Sequence, residues 1–239
     1  MPILTANFVQ LAEQVFLHPQ PTYPWNNIVS GVVVNGTEMH AVSRNTWRAF
    51  HRVNKPGPGA KDVFIPYFTQ APGATALIQQ LSQVATVENL DHLANSICDH
   101  LRHRLINGNI KPHQLEPNKY NKLRKPVDIY LEALVSMATE LTPHRARLTP
   151  LLRVPLDTWI FGHPLLLTEP MLRAAGLNRG SGFGELKQEA DYIQLQSALQ
   201  TLARQCAAEL QRPFHPIYFD LLWGNRYTRN GGNLFQLNP

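Results

Sequence analysis

Three residues in the second half of the chain have the types and spacing of a metal-dependent nuclease site. Glu185 and Lys187 form a Glu-x-Lys tripeptide, and Asp157 lies upstream of it. Mg²⁺ needs only one or two carboxylates besides phosphate oxygens, and a neighbouring lysine stabilises the attacking water. The same residues also fit a surface Glu-Lys pair with an unrelated aspartate. Mg²⁺ is therefore the cofactor of the nuclease alternative, and otherwise the sequence predicts no cofactor.

Histidines offer a second, metal-independent route to RNA cleavage. Such a ribonuclease needs a histidine as general base and a nearby tyrosine, lysine or second histidine. His215 is one candidate, with Tyr218 and Asp220 close to it in the sequence, and His40 with His51 is another. On a strand, His215 and Asp220 would point to opposite faces, so the spacing does not predict that they pair. We expect a binding protein rather than an enzyme, and a nuclease if it is an enzyme.

The arginines show the clearest charge pattern in the chain. No Asp or Glu occurs between Met39 and Lys61, and Arg44, Arg48 and Arg52 follow at i, i+4 and i+8. On a helix, this spacing places the three guanidinium groups in one stripe. Because like charges repel, the stripe suits a line of phosphates or a set of carboxylates opposite it. The alternative is a solvated helix face.

A second basic stretch spans residues 99–126. Its prolines and the Asn107-Gly108 pair predict much loop, so we expect a basic inserted arm or finger. Tyr120 lies among the cations, where an aromatic ring can stack on an unpaired base. The cations of the stretch are Arg102, Arg104, Lys111, Lys119, Lys122, Arg124 and Lys125.

A glycine-rich segment at 176–184 lies between a predicted helix and a predicted strand. Successive free N–H groups in such a turn can form an anion-binding nest, and Arg179 adds a full positive charge. The segment is not a P-loop, because no Gly-Lys-Ser/Thr follows, and its helix-to-strand order excludes a dinucleotide-binding loop. A tight structural turn is the alternative.

Two segments carry a resemblance to the RAMP superfamily of CRISPR proteins. The glycine-rich loop of that superfamily, where a helix leads into a loop ending in Gly-aromatic-Gly, resembles residues 163–187 (HPLLLTEPMLRAAGLNRGSGFGELK). The stretch where one of its strands runs into a basic helix resembles residues 42–52 (VSRNTWRAFHR).

The resemblance implies an α+β fold with a ferredoxin-like (RRM-type) antiparallel sheet core and a helical insertion. It also implies an RNA-binding subunit of a CRISPR ribonucleoprotein in antiviral defence, with other protein subunits as partners. The residues that would contact nucleic acid, RNA rather than DNA, are Arg44, Asn45, Arg48, Arg52, Arg102, Lys119, Tyr120, Lys122, Arg124, Arg179, Gly180, Gly182 and Gly184.

Composition places these residues on a sparsely charged but basic chain. Only 16% of the 239 residues are charged, and 22 Lys and Arg outweigh 17 Asp and Glu. A basic excess of this kind favours a polyanionic partner, with an acidic protein partner of an adaptor as the alternative. Apolar runs are too short to cross a bilayer, and two cysteines cannot build a disulfide framework. We therefore expect a cytoplasmic protein without a membrane partner.

Hydrophobic periodicity predicts a single α+β domain over residues 1–239 to position these groups. Asn35-Gly36, between β-branched residues 27–34 and residues 37–43, predicts a hairpin. Further strands are predicted at 63–68, 151–161, 183–188, 217–223 and 234–237. Helices are predicted at 3–17, 45–53, 74–84, 87–105, 127–141, 168–175 and 190–210.

Overall fold

The computed structural model describes residues 5–34, 36–54, 57–70, 73–116 and 119–222. The chain is mostly helical, at 67% helix, and its described part holds one two-stranded antiparallel sheet. This fits an α+β class, but the wider sheet of a ferredoxin-like core is not found in those ranges and is not confirmed. The strands are β1 (Val32–Val34) and β2 (Thr37–Met39). The helices are α1 (Ala6–Phe16), α2 (Trp25–Ser30), α3 (Arg44–Arg48), α4 (Ala60–Thr69), α5 (Gly73–Gln83), α6 (Val87–Asn107), α7 (Tyr120–Met137), α8 (Arg145–Leu148), α9 (Thr158–Gly162), α10 (Glu169–Ala174) and α11 (Glu189–Leu210).

The hairpin predicted from its turn residues is confirmed as β1 and β2, but residues 27–30 of the β-branched segment belong to α2. Val32 pairs with Met39 and Val34 with Thr37 in antiparallel register. Gly36 has a φ of 76°, in the left-handed region that favours glycine. The helices predicted at 3–17, 74–84, 87–105, 127–141, 168–175 and 190–210 are confirmed as α1, α5, α6, α7, α10 and α11.

Most of the other predicted strands are wrong. Residues 63–68 lie within α4, where Phe64 and Phe68 are buried one helical turn apart. Short apolar runs look alike in a buried helix and a buried strand, so periodicity alone does not separate them. In place of the strand predicted at 183–188 the structure has a 3₁₀ turn at Phe183–Glu185. In place of the strand predicted at 217–223 it has a 3₁₀ turn at Pro216–Leu222. Residues 151–161 instead hold a turn and α9, and 234–237 lie outside the described residues.

The centre of the fold is α7. Every residue from Leu123 to Met137 is buried, and the helix packs against α1, α2, α6 and α11. A helix surrounded on all sides in this way is a core helix, so polar residues on it must find partners inside the protein. In the part of the chain that the structure describes, no helix is both long and apolar enough to cross a membrane.

The basic stretch at 99–126 packs onto this body. It comprises the end of α6, a 3₁₀ turn at Pro112–Gln114 and the start of α7. Ile110, Leu115 and Leu123 are buried within it. Its described residues therefore do not stand out as a free arm.

Candidate nucleic-acid interface

A basic cavity of about 880 Å³ opens where α3, the segment after it and the start of α4 meet. This volume is within the roughly 300–1,000 Å³ of pockets that hold small ligands. Its polar wall consists of His40, Arg44, Arg48, His51, Arg52, Lys61, Asp62 and Lys111. Its apolar wall consists of Val42, Trp47, Phe50 and Ala60. Five cations thus face one carboxylate among the described lining residues.

The three arginines reach this cavity by a different route from the predicted stripe. Arg44 and Arg48 lie one turn apart on α3, but the helix ends there, whereas the prediction ran from 45 to 53. Arg52 lies in extended backbone that pairs with Ile110 in an antiparallel bridge. The continuous helical stripe predicted for the three arginines is therefore wrong, although all three side chains line the same cavity.

Backbone pairing between the two basic stretches explains both the helix end and the position of Lys111. The Lys111 N–H donates to the His51 carbonyl at 3.0 Å, and the Val53 N–H donates to the Asn109 carbonyl at 2.8 Å. Because residues 51–53 bond to residues 109–111, they cannot also continue the hydrogen bonds of α3. The same pairing brings a cation of the second stretch to the cavity formed by the first.

Three of the five cavity cations are not neutralised by an ion pair with a described residue. Arg44 and Lys111 are exposed and Lys61 is partly buried, and none of the three forms an ion pair with another described residue. Arg52 donates to the Gly57 carbonyl at 2.7 Å, which fixes its guanidinium at the rim. A methyl group on Gly59 would lie 2.9 Å from that guanidinium, so a glycine allows the close approach.

Two further polar groups of the wall are Asp62 and His40. The Asp62 carboxylate accepts the Gly59 N–H at 2.6 Å, which caps α4 and ties up the one acid of the wall. Burial, and then the positive charge of Lys61, lower the pKa of His40 below its ordinary value, although Glu38 opposes this. The lowered pKa favours the neutral form of His40, whose Nε2 atom lies 3.5 Å from a Glu38 carboxylate oxygen.

Arg124 and Tyr120, predicted to contact RNA, belong to a buried polar network. The Arg124 side chain is 1% exposed and donates to Asp91 at 2.6 Å and to Asp128 at 2.7 Å. Burial disfavours its charge, but Asp128, Tyr192, Tyr120 and Asp91 together outweigh this, and the pKa of Arg124 is raised well above its ordinary value. The Tyr192 hydroxyl donates to Asp128 at 2.8 Å, and the Tyr120 hydroxyl donates to the side chain of Asn95. These groups hold α6, α7 and α11 together.

The other predicted contacts of the second stretch also lie outside the cavity wall. The Lys122 ammonium donates to the Ala49 carbonyl at 2.6 Å, and burial followed by Lys119 lowers its pKa. Lys119 is partly buried just before α7. Arg102 donates to the Leu115 carbonyl at 3.0 Å and pairs with a neighbouring aspartate. Asn45 lies on α3.

The glycine-rich segment satisfies its polar groups internally. Arg179 donates to two carbonyls, those of Phe161 and His163, at 2.9 and 2.8 Å, and also pairs with a glutamate. The Gly180 N–H donates to a side chain two residues earlier, and the Gly182 N–H donates to Glu185. A methyl group on Gly184 would lie 3.2 Å from the side chain of Lys122. These N–H groups are bonded within the loop rather than directed at an outside anion.

The predicted catalytic carboxylates have structural partners as well. Asp157 caps α9 and pairs with Lys125 at 3.0 Å, and it is buried. Glu185 accepts hydrogen bonds from the Ser181 hydroxyl and the Gly182 N–H of the glycine-rich segment, and Lys187 is exposed. His215 is partly buried and burial lowers its pKa. Over the described ranges, no group of three or more His, Cys, Asp or Glu could hold a metal ion.

Sequence reasoning missed Lys61, Lys111 and Trp47 as members of one site. Lys61 and Trp47 lie close to the arginines in the sequence, and that proximity was a usable signal. Lys111 has no local signal, because only the pairing of residues 51–53 with 109–111 places it here.

Comparison with known proteins finds no matching family model, no similar curated protein and no similar solved structure. The resemblance to the RAMP superfamily stays a prediction.

Proposed function

We propose that this protein binds nucleic acid, with RNA as the first candidate, by holding the phosphate backbone in the basic cavity. The supporting observation is that cations from both basic stretches, which are distant in sequence, line one cavity. The single carboxylate of the described wall, that of Asp62, is bonded to the backbone as a helix cap. Clustered positive charge of this kind attracts polyanions and holds phosphates in place. The resemblance described above makes RNA the first probe and a ribonucleoprotein the proposed setting, with other protein subunits as partners.

The arrangement of the cations favours a polymer over a single anion. Arg44 and Arg48 are separated by one helical turn, about 5–6 Å between their Cβ atoms. Arg52, Lys61 and Lys111 reach the cavity from three other segments. Charges spread in this way meet successive phosphates of a chain, whereas one small anion would leave several of them unpaired.

The proposal is tested with a fluorescein-labelled RNA dodecamer and fluorescence anisotropy at low salt. We expect Arg44→Ala and Lys111→Ala each to weaken binding by up to about fivefold, since an exposed ion pair contributes up to roughly 1 kcal/mol. Arg204→Ala is the matched control, because Arg204 is exposed on α11 and does not line the cavity. Equal losses in the control and the cavity variants, or no binding at all, would refute the proposal.

A second candidate function is metal-independent RNA cleavage in the same cavity. It is favoured by the two histidines of the wall, His40 and His51. The lowered pKa of His40 favours its neutral form, which can accept a proton from the attacking hydroxyl. Incubation of the labelled RNA with protein in EDTA tests it. Cleavage that survives EDTA and is lost in His40→Gln or His51→Gln supports this function. Cleavage lost in EDTA and in Glu185→Ala would support the metal-dependent alternative instead.

A further inference from the structure

The aromatic wall of the cavity is built around Trp47. Its ring centroid lies 5.0 Å from that of Phe64 and 6.2 Å from that of Tyr130, and both partners are buried. Trp47 itself is only partly buried, and it lines the cavity. Buried rings therefore fix the indole from the inside, while the remaining part of it borders the cavity.

Phe50, the other aromatic residue of the described wall, is already covered. It is 5% exposed, Phe64 packs edge-on against it at 6.2 Å, and the Lys122 ammonium lies 5.4 Å from the ring centre. Val42 and Ala60, which complete the apolar wall, are small. Trp47 is thus the available stacking surface on this side, and the cations lie around it.

We infer that the cavity takes one unpaired nucleotide of a single strand, with its base against Trp47 and its neighbouring phosphates on the surrounding cations. This inference rests on the proposed nucleic-acid binding and adds the class of nucleic acid that is bound. A base presents its flat face to an indole only when it is unstacked, and in a duplex the bases are paired and stacked inside the helix. The site therefore selects single strands.

Binding of three probes to the wild-type protein tests the inference. The probes are the labelled RNA dodecamer, the same strand paired with its complement, and an abasic ribose-phosphate dodecamer. We expect the single strand to bind about 5- to 100-fold more tightly than the abasic chain, the range that stacking of one base supports. We also expect it to bind more tightly than the duplex, despite the higher charge of the duplex.

Two substitutions test whether the preference for the single strand over the abasic chain depends on the indole of Trp47. In Trp47→Leu we expect the ratio of single-strand to abasic affinity to fall towards one, whereas Trp47→Phe keeps most of it. Trp159→Leu is the matched control, because Trp159 is 56% exposed on α9 and does not line the cavity. If Trp47→Leu does not fold, the three wild-type affinities decide the matter.

The outcomes separate the inference from the proposed function. Equal wild-type affinities for the single strand and the abasic chain overturn the inference and leave backbone binding intact. An unchanged ratio in folded Trp47→Leu also overturns it. Absence of binding to all three probes overturns both.

Discussion

Substitution of Arg124 tests whether this residue is a structural cation of the core, as its burial indicates, or a contact for nucleic acid. Arg124→Met keeps an unbranched side chain but removes the guanidinium between Asp91 and Asp128. Asp91 keeps its ion pair with Arg153, whereas Asp128, at 3% exposure, keeps only the Tyr192 hydroxyl. Removal of one partner of a buried ion pair costs about 3–5 kcal/mol.

This free energy converts into a measurable loss of thermal stability. At about 2–4 °C per kcal/mol for a chain of this length, we expect the Tm of Arg124→Met to fall by roughly 6–20 °C. The double variant Arg124→Met/Asp128→Asn removes both charges and keeps an acceptor for Tyr192. We expect it to regain much of that loss, because the uncompensated buried charge is gone.

Thermal unfolding followed by circular dichroism gives the stability, and anisotropy with the RNA dodecamer below the transition gives the affinity. We expect the affinity of Arg124→Met to match that of the wild type, since its side chain is 1% exposed. A stability change below about 1 kcal/mol, together with a loss of affinity as large as that of Lys111→Ala, would refute the structural assignment.

Three further predictions concern the cavity, the histidines and the hairpin. Asp62→Asn keeps a capping side chain but removes the carboxylate, so we expect RNA to bind up to about fivefold more tightly by anisotropy, and weaker binding would contradict this. Burial lowers the pKa of His215 below 6.5, so the unfolded chain binds more protons and the free energy of unfolding rises with pH up to about that value. Urea titrations across this range should show a smaller rise in His215→Gln, and an equal rise would exclude His215 as a cause. Gly36→Ala places a side chain at a φ of 76°, and we expect it to lower the free energy of unfolding by about 1 kcal/mol in urea, whereas no loss would argue against the strained turn.

The hairpin and the long helices could be predicted because their signals are local. Asn35-Gly36 specifies a tight turn between β-branched residues, and α6 and α11 repeat apolar residues at helical spacing. The strand expected at 63–68 failed because a short apolar run carries no information about period. The feature that marks this segment as a helix is its N-terminal cap, in which Asp62 accepts the Gly59 N–H at the start of α4.

The candidate site was predictable only where it is contiguous in sequence. Arg44 and Arg48 were found from their spacing, whereas Lys111 depends on a pairing with residues 51–53 that no local pattern encodes. The sequence predicts that Tyr120 and Arg124 contact RNA because residue type alone does not reveal burial. Their partners on α6 are Asp91, 33 residues before Arg124, and Asn95, 25 residues before Tyr120.

The salt dependence of RNA binding is the most direct test of the basic cavity. With five cations on the wall and about 0.7 counterions released per phosphate contact on a single strand, log K should fall with log salt at a slope of about −3.5. A fourfold rise in salt then weakens binding by about 100-fold, and Lys111→Ala reduces the slope to about −2.8. A flat dependence, or a slope that is the same in the wild type and in Lys111→Ala, would contradict binding of the phosphate backbone in this cavity.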